Sequence, residues 1–165
     1  ASSLDFGVQK ITSKDQTYFA ATQKYKTVGA TDEVKEGPNY VQVTDNRGTE
    51  AGWSLKVKQE GQFKSTSGKE LTGAAITFKN GNVVTASDSG KPTGPATITL
   101  NSDGSQSDVM SAAKGNGAGT YLFDWGTDAT TAAKSIELTV PGSTTKYAEK
   151  YATKLTWTLT DAPGN

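Results

Sequence analysis

Trp53-Ser54-Leu55-Lys56-Val57-Lys58 and Leu155-Thr156-Trp157-Thr158-Leu159-Thr160 are the two stretches that decide the fold. In each, apolar residues alternate with hydroxyl or lysine residues. A β-strand turns successive side chains to opposite faces, so the Trp and Leu of each Trp-x-Leu share one face and the polar residues share the other. Period-two alternation of this length predicts a half-buried strand rather than a helix. Two of the chain's three tryptophans therefore belong to one small device, built twice.

Working outward, further strands are expected near residues 4–11, 39–44, 52–59, 71–79, 82–86, 96–100, 120–125, 135–140 and 154–160. Gly37-Pro38, Asn46-Arg47-Gly48, Asp88-Ser89-Gly90, Asp103-Gly104 and Pro141-Gly142 supply turn chemistry between them. Asn80-Gly81 joins two β-rich runs and is the dipeptide that a tight hairpin prefers. One or two helical turns are expected at residues 107–114, where Val109, Met110, Ala112 and Ala113 follow an Asp/Ser cap signal. Residues 13–26 read as an extended ribbon or a loosely attached excursion. The pattern predicts an all-β protein: an antiparallel β-sandwich, Greek-key or jelly-roll-like, with at most one or two short helical turns.

Length and composition bound the function. The 165 residues suit a single domain, residues 1–165, and 18 glycines among abundant Thr, Ser and Ala indicate strands joined by turns. Basic and acidic residues balance at 17 each, so nucleic acid is not an implied partner. No run is apolar for long enough to predict a membrane span. Histidine and cysteine are both absent, which excludes thiol nucleophiles, disulfides, His/Cys zinc sites and histidine-based triads. The spacing of the carboxylates singles out no acid–nucleophile pair, so no catalytic residue, metal or cofactor is expected. Ala1-Ser2-Ser3 looks like the end left by removal of a signal peptide.

The motifs carry a resemblance. Val43-Thr44-Asp45-Asn46-Arg47-Gly48, Ala51-Gly52-Trp53-Ser54-Leu55-Lys56-Val57 and Tyr151-Ala152-Thr153-Lys154-Leu155-Thr156-Trp157-Thr158-Leu159 resemble the WxL domain of Gram-positive bacterial surface proteins. Leu4-Asp5-Phe6-Gly7 and Val140-Pro141-Gly142-Ser143-Thr144 are similar to the same family, so the likeness spans essentially the whole chain. It implies a secreted, non-enzymatic module held non-covalently on the cell surface by peptidoglycan. It also implies two protein partners: a WxL-interacting surface protein and a sortase-anchored protein. An alternative is an envelope subunit that docks on a partner surface protein rather than on glycan.

From the residues alone, each Trp-x-Leu can be core, since alternating large apolar side chains are what half-buried strands present. The other reading leaves the rings partly open, where an indole face could stack on a pyranose. On the strength of the resemblance Trp53, Leu55, Trp157 and Leu159 are assigned as ligand-binding residues. Trp125, in a more continuously apolar run, is expected in the core. Asp45-Asn46-Arg47-Gly48 is expected to form a turn, with Arg47 available to pair with a muropeptide carboxylate.

Overall fold

The computed structural model describes residues 3–26, 29 and 33–163. Ala1 and Ser2, the first residues of the expected cut end, lie outside them. Among the described residues the chain forms short strands in this order: β1 (Gln16–Phe19), β2 (Gln23–Lys26), β3 (Val34–Gly37), β4 (Asn39–Asp45), β5 (Trp53–Gln59), β6 (Lys64–Ser65), β7 (Ala75–Phe78), β8 (Gly81–Thr85), β9 (Ile98–Thr99), β10 (Gln106–Ala112), β11 (Gly119–Trp125), β12 (Ile136–Val140), β13 (Tyr151–Ala152) and β14 (Leu155–Thr160). One helical turn, α1 (Ala129–Ala132), lies between β11 and β12.

The alternation quoted above becomes burial. Trp53, Leu55, Val57 and Gln59 of β5 point inward, while Ser54, Lys56 and Lys58 lie partly exposed between them. Strand β4 repeats the pattern with Val41 and Val43, and β12 with Ile136, Leu138 and Val140. The named strands of the described residues all pair antiparallel: β1-β12-β7-β9, β10-β5-β14, β4-β11-β8, and two ribbons, β2-β3 and β6-β13. The three larger sheets bury their inner faces in one apolar cluster, as the predicted sandwich requires. Phe78, Trp125 and Trp157, one from each of these sheets, meet ring to ring: Phe78–Trp125 centroids are 4.7 Å apart and Trp125–Trp157 centroids 6.0 Å.

Four local expectations are corrected. Residues 107–114 do not form a helix; they lie largely in β10, paired with β5. The adjacent apolar pair Val109-Met110 mimics helical spacing, but a register shift between Asp108 and Met110 turns both side chains inward. A bulge has replaced the helix that the pattern suggested. The helical turn sits instead at α1, where Asp128 accepts from Thr131 N–H and the Thr131 hydroxyl bonds back to Asp128 N–H.

Asn80-Gly81 does not close a hairpin. Strand β7 is already flanked by β12 and β9, so β8 finds no edge there and joins β11 in another sheet. Asn80 takes the left-handed conformation at φ 56, and Gly81 has no room for a Cβ, which would lie 2.7 Å from the Phe123 ring. Residues 4–11 form no strand either, because Asp5 Oδ1 caps the Gly7 N–H and Gly7 turns to φ 71. Leu4 and Phe6 nonetheless pack on the core, and Ala21 N–H donates to Asp5 O at 2.7 Å. Finally, only Ala75–Phe78 of the expected 71–79 strand is extended, since Gly73 turns the chain at φ 76. Residues 13–26 split between a strand of the core, β1, and the ribbon strand β2.

Candidate functional site

The two Trp-x-Leu motifs lie on neighbouring strands. In the β5–β14 pair, Trp157 is opposite Val57 and Leu159 opposite Leu55. Directly opposed residues share a face, so all four motif side chains belong to the inner face of one sheet. Their environments differ sharply. Strand β5 is central, and Trp53 is 2% exposed and Leu55 7%. The Trp53 Nε1–H donates to Gly117 O at 2.9 Å and the ring packs on Tyr121. No face of that indole is open to a ligand.

Among the described residues, strand β14 is an edge, paired with β5 on one side only. Trp157 is half-buried there, its inner side against Phe78 and Trp125, and Leu159 is 54% exposed. Strand β4 is likewise the edge of its own sheet. Between these edges opens a cleft of about 350 Å³, bounded also by Leu4 and Phe6 of the N-terminal segment. Buried Phe63, Ile76, Phe78 and Trp125 line its depth. Exposed Ser3, Tyr40 and Lys154 lie on its rim. The cleft is thus an aromatic slot with a polar mouth, sized at the lower end for small-ligand sites.

The polar groups nearby are mostly engaged in holding the walls. Asn39 Nδ2 donates to Ala21 O, and Gln23 Nε2 donates to Asn39 Oδ1. The Thr153 hydroxyl donates to Gly61 O at 2.6 Å. The Thr156 hydroxyl donates to Glu60, holding that carboxyl below its usual range. On β11, opposite Tyr40, burial pushes the Asp124 carboxyl upward, and its Oδ1 has no partner among the described residues.

The Asp45–Gly48 turn forms as expected: Arg47 N–H donates to Asp45 Oδ1 and Gly48 has φ 69. Arg47, however, forks onto its own chain. Its Nε and Nη2 donate to the two Asp45 oxygens at 2.9 and 2.8 Å, and Nη2 also donates to Gly52 O. The guanidinium fastens the entry to β5 and does not line the cleft.

Over residues 1–163 the sequence matches the family described as WxL domain surface cell wall-binding. The chain belongs to the WxL domain family. No curated protein and no solved structure matches it. WxL membership gives the chain a place among cell-surface binding domains, a family of binding modules rather than of enzymes. No helix among the described residues is long and apolar enough to cross a membrane. No group of three His, Cys, Asp or Glu residues among them could hold a metal ion.

Sequence reasoning placed Trp125 in the core, and it is 2% exposed, yet it also lines the cleft. Tyr40, Phe78, Leu4 and Phe6 were not singled out as site residues. No local pattern could have found them, because segments scattered from Ser3 to Trp157 meet only in the folded chain.

Proposed function

We propose that this WxL domain holds itself, non-covalently, on the peptidoglycan of a Gram-positive cell wall through the cleft between β4 and β14. The observation that carries the reading is the half-buried Trp157, an indole on an open sheet edge beside an aromatic slot with a wet rim. Pyranose rings have apolar faces suited to such a surface and hydroxyls suited to such a rim. Of the four motif residues, Trp157 makes the contact in this reading, and Leu159 lies on the same strand outside the cleft lining. Trp53 and Leu55 anchor the central strand against which β14 is registered. Secretion places the chain at the wall. The balanced charge supports binding with modest salt dependence rather than ionic attachment to wall polyanions.

Co-sedimentation with purified sacculi tests this. The parent chain is expected to pellet with sacculi, and Trp157→Ala, still folded, to bind about tenfold more weakly. Equal pelleting of parent and folded variant sinks the cleft assignment. A second reading, docking on a partner surface protein, is favoured by one observation: β14 offers a free backbone edge with Leu159 exposed beside it. The WxL-interacting and sortase-anchored proteins are the expected partners there. Leu159→Lys would then abolish capture of such a protein while leaving sedimentation on sacculi unchanged.

A further inference from the structure

The cleft contains, among the described residues, one buried side-chain hydrogen-bonding group that the fold leaves unused. Trp125 lines it and is 2% exposed, and its Nε1–H has no partner. Trp53, as deeply buried, has its own N–H satisfied by Gly117 O. Buried indole N–H groups ordinarily find an acceptor, because leaving one dry and unpaired is costly. The two other unpaired buried atoms, Gln59 Oε1 and Asp124 Oδ1, belong to residues outside the cleft lining, and both are oxygens. Within the cleft, then, the unmet demand is for an acceptor, in a slot walled by Leu4, Phe6, Phe78 and Trp157.

That pairing of demands narrows the ligand. A sugar hydroxyl could accept from the indole, but its own hydrogen would then be buried against apolar walls. An acetamido group has no such penalty. Its carbonyl oxygen is a strong acceptor, its methyl suits the aromatic walls, and its N–H sits one bond nearer the sugar, at the polar mouth. We propose that the cleft takes the acetamido group of an N-acetylhexosamine, with its carbonyl accepting from Trp125 Nε1. This rests on the wall-binding reading above and names the chemical group recognised. The cleft, about 350 Å³, suits one such residue rather than a long segment of chain. Because Nε1 is itself covered, a wall must yield as the ligand enters. Trp157, on a strand paired on one side only, is that wall.

The test uses the ¹⁵N-labelled chain, whose three tryptophans give three indole N–H resonances, assigned with single Trp→Phe variants. The probe is the N-acetylglucosamine trimer, with the glucosamine trimer as its deacetylated control. The Trp125 resonance should move downfield with the acetylated trimer only, while that of Trp53 stays fixed. Trp125→Phe, which keeps a ring and removes the N–H, should bind the trimer about tenfold more weakly, and native sacculi should pellet the parent better than N-deacetylated sacculi. If the Trp125 resonance is unmoved, or moves equally with both trimers, while native sacculi still pellet the chain, acetamide recognition is overturned and wall binding stands. If native sacculi do not pellet it, both fall. Should Trp125→Phe not fold, the parent's titration decides alone.

Discussion

Trp53 and Trp157 sit in the same tripeptide, on adjacent strands, facing the same way, and end in opposite circumstances. Trp53 lies on the central strand of its sheet, sealed over by Tyr121 and held by Gly117 O. Trp157 lies on the edge strand, with its inner side on Phe78 and Trp125 and the cleft beside it. Nothing in the shared Trp-x-Leu pattern distinguishes them. What differs is whether a further strand covers the flank, so a residue's place within its sheet decides whether an indole is architecture or surface.

That contrast can be broken by truncation. Trp53→Ala removes a fully enclosed ring and orphans the Gly117 carbonyl, and should lower the unfolding free energy by about 3–5 kcal/mol. Trp157→Ala should cost roughly 1–2 kcal/mol, since less of its area leaves water on folding. Urea unfolding of both variants measures this. Equal costs, or a larger one at Trp157, would mean that the two copies are equivalent and the comparison is mistaken. Gly117→Ala sharpens it from the other side. At φ 84, a Cβ there would lie 2.6 Å from Trp53 Nε1 and 2.4 Å from Ala112 Cβ. Strained backbone and overpacking together should cost about 2–4 kcal/mol. A stability within error of the parent would show that the pocket around Trp53 is looser than its geometry implies.

The sequence made the architecture legible because period-two burial is a local signal. Strands β5, β12 and β14 fall within expected runs, β4 and β11 overrun theirs by one residue each, and the sandwich follows from them. Expectations failed where a local signal was outvoted by a distant partner. The Val109-Met110 doublet looks helical until β5 supplies a strand against which to bulge. Asn80-Gly81 looks like a hairpin until β9 and β12 occupy both flanks of β7. The cleft was not legible for the same reason: it exists only where two sheet edges and the Leu4–Phe6 segment converge. The turn at Asp45–Gly48 was foreseen, but the direction taken by Arg47 was not, since a turn pattern does not reveal which carbonyl lies within reach.

The Asp45–Arg47 clasp gives the comparison its smallest test, because it secures the entrance to the sealed motif only. Side-chain and backbone hydrogen bonds from Arg47 hold the Asp45 carboxyl at about 2, against an ordinary 3.8. A carboxyl depressed by folding adds stability that is fully present above its unfolded value and is lost as pH falls through its folded value. The clasp should therefore contribute fully near neutral pH and fade as pH drops from 3.8 towards about 2. Asp45→Asn, which keeps shape but not charge, should melt a few degrees below the parent near neutral pH, with the gap closing over that acid range. Subtracting the two melting curves removes carboxyls common to both chains, Glu60 beside β14 among them. A gap that stays constant with pH would show that the charge of Asp45 is irrelevant to how β5 is held. Sedimentation on sacculi should not change in the variant, since neither Asp45 nor Arg47 lines the cleft. A loss of binding there, with the fold intact, would mean that the sealed and open motifs are coupled through β5 and cannot be treated as separate devices.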